Sequence, residues 1–315
     1  TAMADASDRL SVKFRGVRGS HAMPGPNTVH FGGNTSCVEV RAGKHLIILD
    51  AGTGIIGLGQ EITRSHLATG NDVKDREKIT FTILFSHTHH DHTQGFAFFR
   101  PAYIPTSTCF LFGPRLLEED LEEGLSKAMV SPYFPVQLED LPSFRKVRSV
   151  NVAEMIVFEN DTDGPKVLNY YRDEDAKANF KVRIRVMHSL AHPNGGVFVY
   201  RIEMNGKSIV FATDTEGYVG GDQRLVNFAR GATLLIHDSQ YMQSDYVTGA
   251  TYVQGYGHST VDMAAEVAKQ AAVQQLALFH YDPMYDDATI REMEKRAKSI
   301  FQNSIAAYEG LEIVL

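Results

Sequence analysis

The chain has 315 residues, with 13 histidines, 2 cysteines and no tryptophan. Two cysteines cannot form a disulfide framework, a four-cysteine zinc site or an iron–sulfur cluster. The formal net charge of −7 argues against bulk electrostatic binding of nucleic acid or of an anionic membrane, but not against a small phosphate-bearing substrate.

Strand signals dominate the first hundred residues. Alternating and β-branched residues predict strands over 36–40 and 45–50, joined by a tight turn, and over 79–85. The stretch 100–180 differs, because seven of the eleven prolines lie there. We predict one helix, 114–129, within an irregular insertion that covers the core. The insertion is expected to be a substrate lid or a dimerisation element. A surface loop region without a function is an equally good alternative.

Helices and strands alternate in the second half of the chain. The predicted strands are 180–187, 196–204, 207–212, 233–236 and 275–279, and the predicted helices are 222–230, 260–272 and 287–302. Asn205-Gly206 predicts a hairpin, and Ser259 or Thr260 is a suitable N-cap. Hairpins followed by βα alternation favour two stacked sheets flanked by helices over a doubly wound sheet. We therefore predict one α/β domain over residues 1–315.

The sequence carries no signal for a membrane or a secretory pathway. No stretch approaches the ~18 consecutive apolar residues of a membrane span. Residues 1–10 are polar and lack the apolar region of a signal peptide. Cys37 and Cys109 are expected to stay reduced. These features predict a cytoplasmic protein.

Four histidines and one aspartate fall in the six residues that follow a predicted buried strand, in the order His87-Thr88-His89-His90-Asp91-His92. A protein core would have to satisfy both nitrogens of each ring, and a solvated face would more usually carry Lys, Glu or Gln. In an extended segment His87 and His89 project to one metal, and Asp91 and His92 reach a second. Imidazole and carboxylate without thiolate suit zinc, manganese, iron or nickel.

Three further candidate ligands lie at the ends of predicted strands: His192, Asp214 and His280. Taken singly, Asp214 is explained as a turn cap and His280 as a packed core histidine. Beside the cluster at 87–92, the ligand interpretation is favoured for all three, because functional groups of α/β proteins collect at strand ends.

The pattern His-x-His-x-Asp-His over 87–92, followed in order by His192, Asp214 and His280, resembles the metallo-β-lactamase superfamily. The resemblance covers the chain from Asp50 to His280 and implies an αββα sandwich, with a two-metal site at the edge of the packed sheets. Leu49-Asp50-Ala51-Gly52-Thr53-Gly54 resembles the superfamily's first motif. There the aspartate is a hydrogen-bonding residue near the metals, so Asp50 is not counted as a ligand.

Two segments point to the phosphodiesterase branch of that superfamily. Gly255-Tyr256-Gly257-His258-Ser259-Thr260 resembles its Gly-His-Ser-Thr motif, and 32–37 resembles its N-terminal strand motif. Asp214 rather than a cysteine stands at the bridging position, which disfavours the zinc β-lactamases. The segment 237–240, His-Asp-Ser-Gln, differs at three of four positions from the His-Glu-Ala-Thr motif of ribonuclease Z.

The resemblance also implies a role for each site residue. His87, His89 and His192 would hold the first of two divalent ions, Asp91, His92 and His280 the second, and Asp214 would bridge them. Zinc is the first expectation, with manganese or iron as alternatives. A hydroxide between the ions would attack phosphorus, with Asp91 orienting it.

His258 is the expected general acid, because an imidazole with a pKa near ~6.5 can donate to a departing alkoxide. The alternative for His258 is an ordinary neighbour of a helix N-cap. His237 is expected to support the site through a hydrogen bond to a ligand or to Asp238. His188 is the rival of His192, and His90 points away from His89 in an extended segment.

These features predict a phosphodiesterase acting on a small cyclic nucleotide or cyclic phosphate, with no bulk nucleic-acid binding, no membrane partner and a homodimer as one option. Ribonuclease Z carries a tRNA-gripping arm between the positions of His192 and Asp214, where this chain has only 21 residues. The alternatives are a carbonyl hydrolase (lactonase, thioesterase or β-lactamase-like), a tRNA 3′ processing endonuclease and a non-catalytic metal-binding regulator.

Overall fold

The computed structural model describes residues 9–159, 164–218, 220–249 and 252–315. Most of the polar N-terminal segment, and part of the region predicted as an insertion, therefore lie outside the described residues. Within them, two β-sheets pack face to face with helices on their outer sides. The predicted α/β sandwich is confirmed.

The first sheet has the order β15-β1-β2-β3-β4-β5-β6 in the described residues. Its strands are β1 Leu10–Gly16, β2 Cys37–Ala42, β3 His45–Leu49, β4 Thr80–Leu84, β5 Thr108–Gly113, β6 Phe144–Ser149 and β15 Glu312–Val314. Strands β3 to β6 are parallel, so their carboxyl ends lie at one edge of the sheet.

The second sheet has the order β14-β13-β12-β11-β10-β9-β7-β8 in the same described residues. Its strands are β7 Glu154–Phe158, β8 Lys166–Asn169, β9 Val182–Ser189, β10 Val197–Met204, β11 Lys207–Ala212, β12 Leu234–Asp238, β13 Gln275–Phe279 and β14 Ser304–Ala306. Strands β11 to β14 are parallel, which again places several strand ends at one edge.

Helices complete the outer layers. They are α1 Gly54–Ala68, α2 His90–Thr93, α3 Leu121–Ala128, α4 Gln223–Ala229, α5 Gln243–Thr248, α6 Val261–Gln270 and α7 Asp287–Ile300. Thr260 caps α6, accepting a hydrogen bond from the Met263 N–H at 3.3 Å. No described helix has the length and apolar character needed to cross a bilayer.

The core has two layers. The larger cluster lies between the sheets and includes Phe14, Val40, Ile184 and Phe211. A second cluster lies between the first sheet and its helices, with Ile55 among its buried side chains. The sheets are therefore held rigidly against each other, which fixes the relative positions of their strand ends.

The region 100–180 is more regular than its proline content predicts. It contributes β5 and β6 to the first sheet and β7 and β8 to the second, at the end of each sheet opposite β15 and β14. The helix predicted over 114–129 is shorter, because Leu116 and Glu119 exchange backbone hydrogen bonds and Leu117 has a φ of 53°. Asp120 then caps α3 by accepting from the Glu123 N–H at 3.0 Å.

Candidate metal centre

The polar side chains of the site stand where five parallel-paired strands end. Asp50 follows β3, His87 lies three residues beyond β4, Asp214 lies two beyond β11, Asp238 ends β12 and His280 follows β13. Asp50, Asp214 and His280 have φ angles of 59°, 53° and 66°, in the left-handed region that non-glycine residues rarely adopt. Such conformations cost about 1–3 kcal/mol each and persist where the surrounding structure holds them.

The first group of donors consists of His87, His89 and His192, whose ligand atoms lie within 4.8 Å of one another. His192 Nε2 lies 3.1 Å from His89 Nδ1. His87 is 1% exposed and His192 5%, whereas His89 is half-buried. Three neutral imidazoles that converge in this way suit one divalent ion.

The second group consists of Asp91, His92, Asp214 and His280, and all four are buried. Asp91 Oδ2 lies 3.1 Å from both His92 Nε2 and His280 Nε2. The two histidine Nε2 atoms are 3.2 Å apart. Two carboxylates and two imidazoles offer the oxygen and nitrogen donors of a second divalent-ion site.

Asp214 faces both groups at once. Its Oδ2 lies 3.2 Å from His92 Nε2 and 3.3 Å from His280 Nε2, on the side of the second group. Its Oδ1 lies 3.7 Å from His87 Nε2 and 3.8 Å from His192 Nε2, on the side of the first. One carboxylate can therefore serve both groups.

In four of these imidazoles the Nδ1 atom, which is not the nitrogen that faces the other donors, already has a hydrogen-bond partner. The bonds run from His92 Nδ1 to Asp50 Oδ2 at 2.7 Å, from His280 Nδ1 to Gln240 Oε1 at 3.1 Å, from His192 Nδ1 to the Gly257 carbonyl at 3.1 Å, and between His87 Nδ1 and Ser86 Oγ at 3.0 Å. An acceptor on Nδ1 fixes the tautomer in which Nε2 carries a lone pair for a metal.

The donor set fits a pair of divalent ions. The buried His87 Nε2 has no hydrogen-bond partner among the described residues, although an unpaired buried polar atom is costly. His92 Nε2 and His280 Nε2 face each other and the Asp214 carboxylate, and His192 Nε2 faces His89 Nδ1. An ion on each side of Asp214 would satisfy these atoms together.

The electrostatics of the cluster are consistent with ligands ready for metal. Burial, and then the neighbouring His92, hold the pKa of His87 well below its usual value. Burial acts to raise the pKa of Asp214, but the imidazoles of His280, His92 and His87 outweigh it and hold that pKa well below its usual range. Burial acts to lower the pKa of His92, but the carboxylates of Asp214, Asp91 and Asp50 outweigh it and raise that pKa well above its usual value. His87 and Asp214 are therefore in the protonation states that metals bind, whereas His92 has to release a proton when an ion binds.

His258 lies against both groups without being a member of either predicted ligand set. Its ring stacks on that of His280, with centroids 5.1 Å apart, and its Nδ1 lies 2.8 Å from Asp238 Oδ2. Burial acts to lower the pKa of His258, but Asp238 outweighs it and raises the pKa to about 9. An imidazolium held in this way can deliver a proton to a substrate at the centre.

Comparison with known proteins defines the family. The model of the β-lactamase superfamily domain matches residues 45–281. The chain belongs to the metallo-β-lactamase superfamily. It is 30% identical to the ribonuclease Z of Sulfurisphaera tokodaii over 71% of this chain and 77% of that protein. This relative places it in the phosphodiesterase branch of the superfamily, as a metal-dependent hydrolase acting on phosphodiester bonds.

Solved structures of the superfamily share the fold. Human tRNase Z, short form, aligns with a TM-score of 0.59 at 19% identity, covering 96% of this chain and 98% of that chain. A diphosphatase from the PhnP family aligns with a TM-score of 0.64 at 13% identity, covering 97% of each chain.

The expectation that the protein does not bind bulk nucleic acid is wrong in the light of these relatives. A relative at 30% identity over most of the chain is named as a ribonuclease. The acidic net charge misled because it averages the whole surface and does not describe the surface at the site.

The other residues considered in the sequence lie as follows. His237 Nδ1 donates to the Asp238 backbone carbonyl at 2.7 Å, so the expected hydrogen bond to Asp238 is present, through the main chain rather than the carboxylate. His188 Nε2 donates to the Gly195 backbone carbonyl at 2.7 Å rather than joining the cluster. His90 is exposed. The Asp50 carboxylate accepts hydrogen bonds from His92 Nδ1, from the Ser86 N–H at 2.7 Å and from Ser86 Oγ at 2.8 Å, as expected of a supporting residue.

Sequence reasoning considered Asp238 only as a partner of His237 and gave Gln240 no role. Asp238 binds His258 and also accepts hydrogen bonds from the backbone N–H groups of Asp214 at 3.0 Å and Ser259 at 2.9 Å. Its signal was available, since Asp238 lies two residues beyond the predicted strand 233–236, just as Asp214 lies two residues beyond the predicted strand 207–212. Gln240 had no such signal, because its contact with His280 depends on how two loops meet.

Proposed function

We propose that this protein hydrolyses phosphodiester bonds of RNA, with transfer RNA as the first candidate substrate, at a centre of two divalent ions. The convergence of six donor side chains on the two sides of Asp214, beside the Asp238–His258 pair, is the observation that carries the proposal. The name of the ribonuclease Z relative supports RNA as the substrate class.

In this proposal the first group holds one ion and the remaining donors hold the second, with Asp214 shared. Zinc is our first expectation, because imidazole and carboxylate suit it, and manganese or iron are the alternatives. Two such ions, when bound, lower the pKa of a water and stabilise charge on the attacking and leaving oxygens of an in-line displacement. Asp91, beside both His92 and His280, orients the attacking water.

His258 is the proposed proton donor to the leaving alkoxide. The Asp238 carboxylate accepts from Nδ1 and fixes the ring, so Nε2 is the atom that hands over the proton. Asp238 itself accepts hydrogen bonds from the backbone N–H groups of Asp214 and Ser259. These bonds fix the proposed proton donor, His258, relative to the segment that carries the ligand Asp214. General acid catalysis of this kind contributes roughly 10²–10⁴-fold.

A small cyclic phosphodiester is the second candidate substrate. A cavity of about 240 Å³ adjoins the first group, and its lining includes Leu116, Pro193, Asn194 and the two histidines His87 and His89. No lysine or arginine is among the described residues that line it, so it suits a neutral, hydroxyl-bearing part of a substrate. The chain between His192 and Asp214 forms the β10–β11 hairpin rather than a long arm.

A substrate panel with metal replacement tests the proposal. The panel contains a tRNA precursor with a 3′ trailer, a short single-stranded RNA, a 2′,3′-cyclic mononucleotide, bis(p-nitrophenyl) phosphate, a lactone and nitrocefin. We expect phosphodiester turnover that a chelator abolishes and zinc or manganese restores, with the RNA substrates cleaved at the highest kcat/KM. Preferred cleavage of the cyclic mononucleotide would select the second candidate. Turnover of the lactone or nitrocefin alone would overturn phosphodiester chemistry.

A further inference from the structure

Glu216 binds the glycine-rich loop that precedes His258. Its Oε1 accepts a hydrogen bond from the Gly255 N–H at 2.8 Å, and its Oε2 accepts one from the Gly257 N–H at 3.0 Å. The hydroxyl of Tyr246, on α5, donates to the same carboxylate. One half-buried side chain therefore receives three donors, two of them from the loop.

That loop carries two groups of the metal centre. The Gly257 carbonyl accepts from His192 Nδ1 at 3.1 Å, and the next residue is His258. Gly257 has a φ of 89°, and a Cβ placed there would lie 2.2 Å from His192 Nδ1. The backbone at Gly257 is thus pressed against a predicted ligand, and a small displacement of the loop would move the acceptor of His192.

Glu216 is also tied to the segment that carries His192. Its own backbone N–H donates to the Ala191 carbonyl at 3.2 Å, and Asp214 lies two residues before it in the chain. The residue therefore connects three segments around the centre: the one after β11, the one before His192 and the one before His258.

We propose that Glu216 is a positioning residue, which holds the 255–257 loop so that His192 presents Nε2 to the first metal and His258 reaches the substrate. This role rests on the proposed function for His258, but its effect on His192 does not depend on any substrate. A hydrogen-bond partner of a metal-ligating histidine typically changes metal affinity by roughly 10–100-fold when it is lost.

The chemistry of the contact requires a carboxylate of this length. Gly255 and Gly257 each offer only an N–H to one of the two oxygens, so both atoms of the side chain must be acceptors. The substitution Glu216→Gln places an NH₂ group against one of these donors and breaks that bond, with almost no change in volume. Tyr246→Phe removes the third donor but leaves both bonds to the loop.

Hydrogen exchange of the metal-free protein tests the contact directly. We expect Glu216→Gln to speed exchange in a peptide covering residues 252–258 by about 10-fold, because its amides lose their fixed acceptors. Tyr246→Phe should change that peptide much less. The control Glu203→Gln alters a distant carboxylate bound to Arg185 and Arg201, and should leave the peptide unchanged.

Zinc titration against a chromophoric chelator tests the consequence for His192. We expect Glu216→Gln to weaken one of two zinc sites by at least ~10-fold while thermal unfolding of the metal-free chain stays within a few degrees of wild type. Unchanged exchange and unchanged zinc affinity in Glu216→Gln would overturn the proposal. Both measurements omit substrate, so a protein that cleaves no phosphodiester would refute the proposed function and leave this result standing.

Discussion

The two groups of the metal centre are built differently. The second group is buried throughout, and the Asp50 carboxylate and the Gln240 amide, themselves buried, hold two of its histidines from behind. The first group contains the half-buried His89, borders the cavity, and depends on the Gly257 loop for the orientation of His192. From this difference we expect the second group to be the more rigid half of the centre and the first group to be the more adjustable half, next to the cavity.

Removing Asp214 should have the largest effect, because that carboxylate faces both groups. Asp214→Ala is expected to leave fewer than two ions per chain and to lower phosphodiester turnover by at least ~10²-fold. Metal analysis by mass spectrometry after dialysis measures the first result, and bis(p-nitrophenyl) phosphate hydrolysis the second. If the variant still bound two ions per chain, Asp214 would not be a required ligand, and the claim that it links the two groups would be wrong.

Replacing His258 should separate proton donation from metal binding. We expect His258→Ala to keep both ions but to slow cleavage of unactivated phosphodiesters by roughly 10²–10⁴-fold. Activated p-nitrophenyl esters should suffer far less, because their leaving group needs no proton. His90→Ala, which alters an exposed histidine, is the matched control. Equal slowing of both substrate types would contradict the role of His258 as an acid.

Weakening the two supports of the buried second group should show how much each contributes to its metal affinity. Asp50→Asn exchanges the buried acceptor of His92 for an amide and should reduce affinity at one metal site by roughly 10–100-fold. Gln240→Ala removes a neutral acceptor from His280, so a smaller loss at that same site is expected. Zinc titration of each variant reports the order. A larger loss of zinc affinity in Gln240→Ala than in Asp50→Asn would show that the charge of the supporting side chain does not determine the zinc affinity of the second group.

The smallest expected effect on the metal centre comes from an ion-pair network outside it. Arg15 bridges Glu39 and Glu61, with distances of 2.6 and 2.7 Å to their carboxylates. Because Glu39 is buried and keeps Arg41 as a partner, Arg15→Met should lower the free energy of unfolding by roughly 1–3 kcal/mol and should leave both metal affinities unchanged. Denaturant titration and zinc titration check the two results. A change in zinc affinity would show that the ion pairs of Arg15 influence the metal centre, contrary to this expectation.

The donor side chains that the structure brings together could be selected from the sequence, whereas several elements of the scaffold could not. The donors at 87–92 are adjacent in the chain, and Asp214 and His280 follow strongly apolar strands, so strand ends could be located. Strand β1 and helix α1 were not predicted, and the prolines of 100–180 concealed β5 to β8. Strands β5 to β8 form one end of each sheet, and their pairing depends on the neighbouring strands, which short-range sequence signals do not report.

The groups that support the ligands were the hardest to anticipate. Asp238 was considered only as a partner of His237, yet it binds His258, because alternate residues of a strand face opposite sides of a sheet. The preference for a small substrate rested on net charge and on a short hairpin, neither of which describes the surface at the site. The ribonuclease Z relative corrects that inference.

The central claim is that these donors hold two ions that share Asp214. Crystals grown with zinc and measured at the zinc absorption edge test it most directly. The account predicts two anomalous peaks about 3.5–4 Å apart, one among His87, His89 and His192 and one among Asp91, His92 and His280, with Asp214 touching both. A single peak, or a pair of peaks of which Asp214 contacts only one, would contradict it.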